Sequence, residues 1–338
     1  MKHRQVYEGL SAPVNVTWEI TRQCNLSCIH CLSGAGENKG SELTYDQCVN
    51  VIDQLSSHRV FQVNFGGGEP FIRKDFLPIL DACHLRDLVT CISTNGTFLN
   101  DEVLCFLRGR EMVYLQVSLD GGSPETNDLI RGTGTYRQVM KALERLNLWK
   151  IPFSINMVLT KFNYPEISSL HSLAKDHGAK LRVSRFRPSG RGKKSWEYLR
   201  LGEEDLRDFS EWLSDHREVV TGDSFFSLEE DERRDLGLNL CGAAKFTCCV
   251  DPEGNVYPCA FLQDNFFHGG NLLEESIGQI WRHASAFNLL RNLRIRSCES
   301  CFRFESCHGG CPAIVYFTQN SLGSPDPECL VHCIQKAS

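Results

Sequence analysis

The chain has no run of about 18 consecutive apolar residues, so the sequence predicts no membrane-spanning helix and no membrane partner. It also lacks an excess of charge of one sign. Its 36 Lys and Arg and 42 Asp and Glu give a net charge of −6 and are mixed along the chain. Without a basic face there is no electrostatic footprint for nucleic acid. Met1-Lys-His-Arg-Gln is not followed by the apolar stretch of a secretory signal, and a cytoplasmic protein is expected. There a disulfide framework is not sustained, which changes the meaning of the residue type present in excess. The chain carries 17 cysteines among 338 residues, and those that cluster point to metal binding. A hydrophobic fraction of 41% supports a real core, and two domains are expected.

The first cluster is Cys24-x3-Cys28-x2-Cys31. Three thiols at this spacing on a short loop can converge on three corners of an iron–sulfur cube, leaving one iron open for substrate or cosubstrate. They could also be half of a zinc site. The loop follows 14–21, where alternating apolar and polar residues read as a strand. Extended runs recur at 61–65, 88–93, 114–119, 153–159 and 181–186. Helical patterns lie between them, including Cys48, Val51, Ile52 and Leu55, and Tyr136, Val139, Met140, Leu143 and Leu146. Alternating strand and helix implies a parallel sheet, and six units rather than eight imply an open partial (β/α)6 barrel. Its functional groups belong at the C-terminal ends of the strands. Parallel strands buried on both faces read as continuous apolar runs, but here alternate positions such as Thr17, Glu19, Asn64, Gln116, Asn156 and Arg182 are polar. They predict a wet, polar lumen, or strands with one solvated edge face.

The second strand ends in Gly66-Gly67-Gly68-Glu69-Pro70, where glycines allow close backbone approach and a carboxylate can accept from an ammonium group. The stretches 189–195 and 228–235 read as solvated connections. From Cys241 the thiols crowd again, through Cys259, Cys298-x2-Cys301-x5-Cys307-x3-Cys311 and Cys329. Cys298-x2-Cys301 by itself would suit a zinc ribbon. The expected division is an arm over 1–13, a barrel over 14–190, a bridging region over 191–240 and a cysteine-rich domain over 241–338.

Together, the cysteine loop after the first strand and the Gly-Gly-Glu-Pro turn after the second resemble the radical S-adenosylmethionine (SAM) superfamily. The resemblance implies a 4Fe–4S cluster on Cys24, Cys28 and Cys31 whose open iron binds SAM and whose electron splits it to a 5′-deoxyadenosyl radical. It further implies Gly67, Gly68 and Glu69 as contacts of the SAM amine, Ser118 and Arg131 of its ribose and carboxylate, and Asn156 as another polar contact. The downstream cysteine string resembles the SPASM domain, which implies two auxiliary 4Fe–4S clusters and three clusters in all. The implied ligands are Cys241, Cys248, Cys259 and Cys311 for the first, and Cys298, Cys301, Cys307 and Cys329 for the second. Cys48, Cys83, Cys91, Cys105, Cys249 and Cys333 remain as ordinary thiols.

Further stretches, notably Arg187-Pro-Ser-Gly-Arg-Gly192 and 221–226, resemble the mycofactocin maturase family over about residues 8 to 330. That resemblance implies a small precursor peptide ending in Val-Tyr, oxidative decarboxylation of the terminal Tyr, and a carbon–carbon link to the Val side chain. Sulfatase-maturing relatives carry an aspartate base after the residue equivalent to Cys259, and Ala260 stands there instead. Only about thirteen residues precede the first strand, too few for the winged recognition domain of some relatives, so a separate peptide-recognition protein is expected. A flavodoxin or ferredoxin would supply electrons. Alternatives are another SPASM enzyme making thioether or quinone-cofactor crosslinks, a tetrapyrrole side-chain decarboxylase, or a non-catalytic electron carrier. A pure carrier would have no use for the Gly67-Gly68-Glu69 turn.

Overall fold

In β1, Asn15–Thr21, the side chains of Val16, Trp18 and Ile20 are fully buried while Asn15 and Thr17 stay half-buried, so alternation in sequence becomes two unlike faces. The structure, a computed structural model, describes residues 9–36, 40–221 and 241–331. The family-like residues 222–226, the charge run 228–235 and Cys333 lie outside the described residues. β2 Gln62–Gly67, β3 Val89–Thr94, β4 Val113–Ser118, β5 Phe153–Leu159 and β6 Lys180–Arg185 continue the pattern, each parallel to its neighbour. Between them run α1 Tyr45–Ser57, α2 Phe76–His84, α3 Asp101–Leu107, α4 Pro124–Arg131, α5 Thr135–Leu148 and α6 Ile167–Asp176.

Thr44 starts α1 with a reciprocal capping box to Gln47, and Cys48, Val51, Ile52 and Leu55 then fall on the buried face. In α5, Val139, Leu143 and Leu146 are buried, with Tyr136 and Met140 at the margin of the core. Trp18, Phe65 and Phe76 form an aromatic cluster under the β1–β2 pair, with ring centroids 5.7 and 5.4 Å apart. Truncating such a ring to Ala costs about 3–5 kcal/mol. On the opposite face of the sheet polar side chains pair with one another. Asn64 donates to Asn15 at 2.8 Å, and Ser184 donates to Asn156 at 2.8 Å.

The cysteine-rich region does not begin a separate sheet. β7 Thr247–Val250 pairs parallel with β1, and β8 Asn255–Tyr257 and β9 Gly270–Asn271 follow antiparallel, giving the order β6-β5-β4-β3-β2-β1-β7-β8-β9. The bridging region contains α7 Gly192–Leu199 and α8 Glu203–Asp215, with Trp196, Leu199, Phe209 and Leu213 buried. The basic stretch 189–195, read as a solvated connection, is packed against the cysteine loop because it satisfies that loop's carbonyls. Ser189 donates to the Leu32 oxygen at 3.0 Å, Arg191 to those of Cys28 at 3.0 Å and Ala35 at 2.6 Å, and Ser195 to that of Ile29 at 2.9 Å. Among the described residues no helix is long and apolar enough to cross a membrane.

Candidate functional site

All described cysteines are free. Cys24, Cys28 and Cys31 hang from the C-terminal end of β1, clamped between the 189–195 stretch and the glycine turn. The Gly68 and Glu69 amides donate to the Thr21 and Gln23 carbonyls, each at 2.8 Å. A Cβ on Gly67, whose φ is +100°, would come within 2.6 Å of the Thr21 oxygen, and one on Gly68 would collide with the Gln23 oxygen. These two glycines therefore let the turn lie directly on the loop. Gly66 is different, since a Cβ there would meet only Ser93, at 3.9 Å. Burial pushes the Cys28 thiol up to about 11; Arg131 opposes this, while Asp120, Cys31 and Cys24 add to it. Cys24 is also raised by burial, with Glu69 and Cys31 adding. Thiols that oppose one another's ionisation are close neighbours, and they bind metal only by losing their protons.

Glu69 is buried at the end of the turn. Its carboxylate accepts from the Thr94 hydroxyl at 2.8 Å, the Asn95 amide at 2.7 Å and the Phe71 amide at 3.3 Å, tying β2 to β3. Burial raises its pKa to about 7 against those hydrogen bonds. Ser118, the last residue of β4, is the register partner of Asn156 in the middle of β5. Arg131 closes the site from α4, with Nε 2.6 Å from the Asp120 carboxylate. The same carboxylate lies 2.6 Å from His30 Nε2 and accepts from the Val158 amide at 2.7 Å. Burial works against ionisation of Asp120, but Arg131 and His30 outweigh it and hold its pKa down to about 2. Sequence reasoning missed His30 and Asp120. The signal was present, because His30 sits inside the cysteine spacing and Asp120 directly after the fourth strand.

The alternation of β1 marks Glu19 only as a lumen residue. It is 4% exposed on β1, opposite Gly66, and one carboxylate oxygen has no hydrogen-bond partner. Burial raises its pKa to about 7, the Gln263 amide opposing.

The later cysteines form two groups. Beyond burial, Cys311 adds to the raising of Cys241, and Cys241 and Cys311 add to that of Cys259; in the same way Cys329 and Cys301 add to the raising of Cys298, and Cys329 and Cys298 to that of Cys307. Asp326 joins the groups. It accepts from the Cys311 amide at 3.0 Å, its own carbonyl accepts from the Cys329 amide at 3.1 Å, and its carboxylate pairs with buried Arg185 of β6 at 2.7 Å. Glu328 takes the other side of that guanidinium. Cys248 is not brought to the first group. It lies opposite Val16 on the core face of β7, raised by burial alone, whereas Cys249 lies opposite Thr17 on the lumen face, near Cys259 and Glu19. Neighbours in register share a face and successive residues alternate.

Among the described residues no three His, Cys, Asp or Glu side chains are grouped to hold a single metal ion. The donor sets consist of thiols alone, the chemistry of iron–sulfur clusters. Residues 18–174 match the Radical SAM superfamily and residues 241–308 match an iron–sulfur cluster-binding domain, SPASM. The chain is 40% identical over 332 residues to mycofactocin maturase MftC of Mycolicibacterium smegmatis, covering 96% of this chain and 85% of that protein. It is 41% identical to the maturase of the same name from Mycobacterium ulcerans, with 96% and 90% covered. Among solved structures, Streptococcus suis SuiB bound to S-adenosylmethionine superposes with a TM-score of 0.79 at 22% identity, over 97% of this chain and 80% of that one. SuiB has also been solved with its precursor peptide SuiA.

Proposed function

We propose, on the premise that this chain belongs to the mycofactocin maturase family of radical SAM enzymes, that it oxidatively decarboxylates the C-terminal Tyr of a small precursor peptide ending in Val-Tyr and then links that residue to the Val side chain. It is a peptide-modifying radical SAM enzyme with iron–sulfur clusters and SAM as cofactors. The observation that carries the reading is the thiol loop of Cys24, Cys28 and Cys31 pressed against Gly67 and Gly68, with Arg131 and Glu69 at its margin. With cluster and SAM bound, this site supplies a 5′-deoxyadenosyl radical.

The chain's own residues hold and orient. Gly67, Gly68 and Glu69 would receive the SAM amine, Ser118 and Arg131 its ribose and carboxylate, and Asn156 would add a polar contact. We assign three 4Fe–4S clusters: one on the loop, one on Cys298, Cys301, Cys307 and Cys329, and one on Cys241, Cys259 and Cys311. For that last cluster Cys248 is the fourth ligand by family resemblance, and Cys249 is the thiol already facing Cys259. A separate recognition protein and a flavodoxin- or ferredoxin-like donor complete the system.

The test is anaerobic turnover of a peptide ending in Val-Tyr, deuterated at the Tyr β-carbon. Deuterium should appear in 5′-deoxyadenosine, with carbon dioxide released before any Val–Tyr bond forms. Label retained in a peptide that keeps its carboxylate would sink the proposal.

A further inference from the structure

We propose that Arg187 makes the site on Cys241, Cys259 and Cys311 the electron outlet of the reaction, by raising the reduction potential of the cluster held there above that of the cluster on Cys298, Cys301, Cys307 and Cys329. This rests on the cluster assignment under the proposed function.

The two thiol groups differ in their charged surroundings. Arg187, two residues beyond β6, donates from Nε to the Cys311 sulfur at 3.3 Å, and its charge also reaches Cys241 and Cys259. The guanidinium lies 4.4 Å from the centre of the Phe261 ring and donates to the Arg185 carbonyl at 3.0 Å, so it is held against the thiols by stacking and by a second hydrogen bond. Lys245 places another positive charge near Cys241. Arg185 is also near Cys311, but Asp326 and Glu328 neutralise it. The second group is set differently: Cys307 lies near the Asp326 carboxylate, itself paired with Arg185, and Cys298 lies near other thiols with the Ser297 hydroxyl as a hydrogen-bond donor.

Reducing a cluster adds one negative charge to it. A hydrogen bond to its sulfur and a nearby cation stabilise that charge, and hydrogen bonds to the sulfurs are among the levers that set cluster potentials. In the oxidative step the radical left on the Tyr β-carbon becomes an alkene as the bond to the carboxylate breaks and carbon dioxide leaves. The carboxylate's negative charge departs as one electron, no proton is exchanged, and the acceptor is an oxidised auxiliary cluster. The cluster beside Arg187 is the more easily reduced of the two.

The experiment is a redox titration followed by electron paramagnetic resonance on the anaerobically reconstituted full-length protein. Arg187→Gln should move one auxiliary midpoint to more negative potential and leave the other signals in place, and the moved signal should be the one altered by Cys311→Ser. Arg187→Lys keeps the charge but loses the planar fork, so its shift should be smaller. In turnover Arg187→Gln should form more deoxyadenosine per decarboxylated peptide. Unmoved midpoints, or a shift confined to the signal altered by Cys307→Ser, overturn the inference. If Arg187→Gln does not load its cluster, Arg187→Lys decides, and an unmoved midpoint there overturns it equally. Fewer than two auxiliary signals in the unmodified protein would instead remove the cluster assignment, and this inference with it.

Discussion

The loop of Cys24, Cys28 and Cys31 and the later cysteines bring thiols together by different means. The loop draws its three from eight contiguous residues and is steadied by short-range backbone contact with the glycine turn. The later thiols span 241 to 329, and one buried knot, Arg185 with Asp326 and Glu328, ties both of their groups to β6. A thiol set held by local spacing should fail one residue at a time. A set held by a shared long-range contact should fail as a unit.

The largest effect separates the regions outright. Cys31→Ala should abolish SAM cleavage, read as deoxyadenosine at background, while the protein keeps roughly two-thirds of its iron in the remaining clusters. Loss of all iron would mean the regions do not load independently. Next comes Gly68→Ala, which forces the loop away from the turn; displacement of about 1 Å at a reacting centre can cost on the order of 100-fold. SAM cleavage should fall by that order with auxiliary iron unchanged.

Asp326→Asn tests the opposite region. Glu328 still pairs with Arg185, so losing the charged hydrogen bonds of Asp326 costs about 1.5–3 kcal/mol, and iron should fall in both auxiliary sites together while SAM binding persists. Iron lost from one site alone would break the idea of a shared knot. Smaller still is the acid limb set by Asp120, whose pKa is about 2 when folded against an ordinary 3.8. A lowered carboxylate pKa adds stability above its unfolded value that is lost as pH falls through the folded one. The contribution, about 2 kcal/mol, should be present above pH 3.8 and disappear toward pH 2, and Asp120→Asn should flatten that limb in thermal melts. The smallest effect belongs to Cys105, which is exposed. Cys105→Ser should change stability by no more than about 0.5 kcal/mol and leave the iron content intact.

By itself the sequence determined the order of the six barrel strands, the apolar face of each, and the cysteine loop, because these follow from periodicity and spacing within a few residues. β5 has its expected bounds, β1 starts one residue later than expected, and the other four strands are offset by one or two residues at both ends. Only the tertiary structure decided that β7 extends the barrel sheet beside β1, that the 189–195 stretch braces the loop, and that His30, Asp120 and Arg131 form one network. It also decided between neighbours. Cys248 and Cys249 are equivalent in sequence, yet pairing with Val16 and Thr17 sends one to the core and the other to the lumen. The physical reason is common to all of these. A side chain's partners across a sheet or a domain junction depend on register and close approach between segments far apart in the chain, and neither is encoded in local pattern.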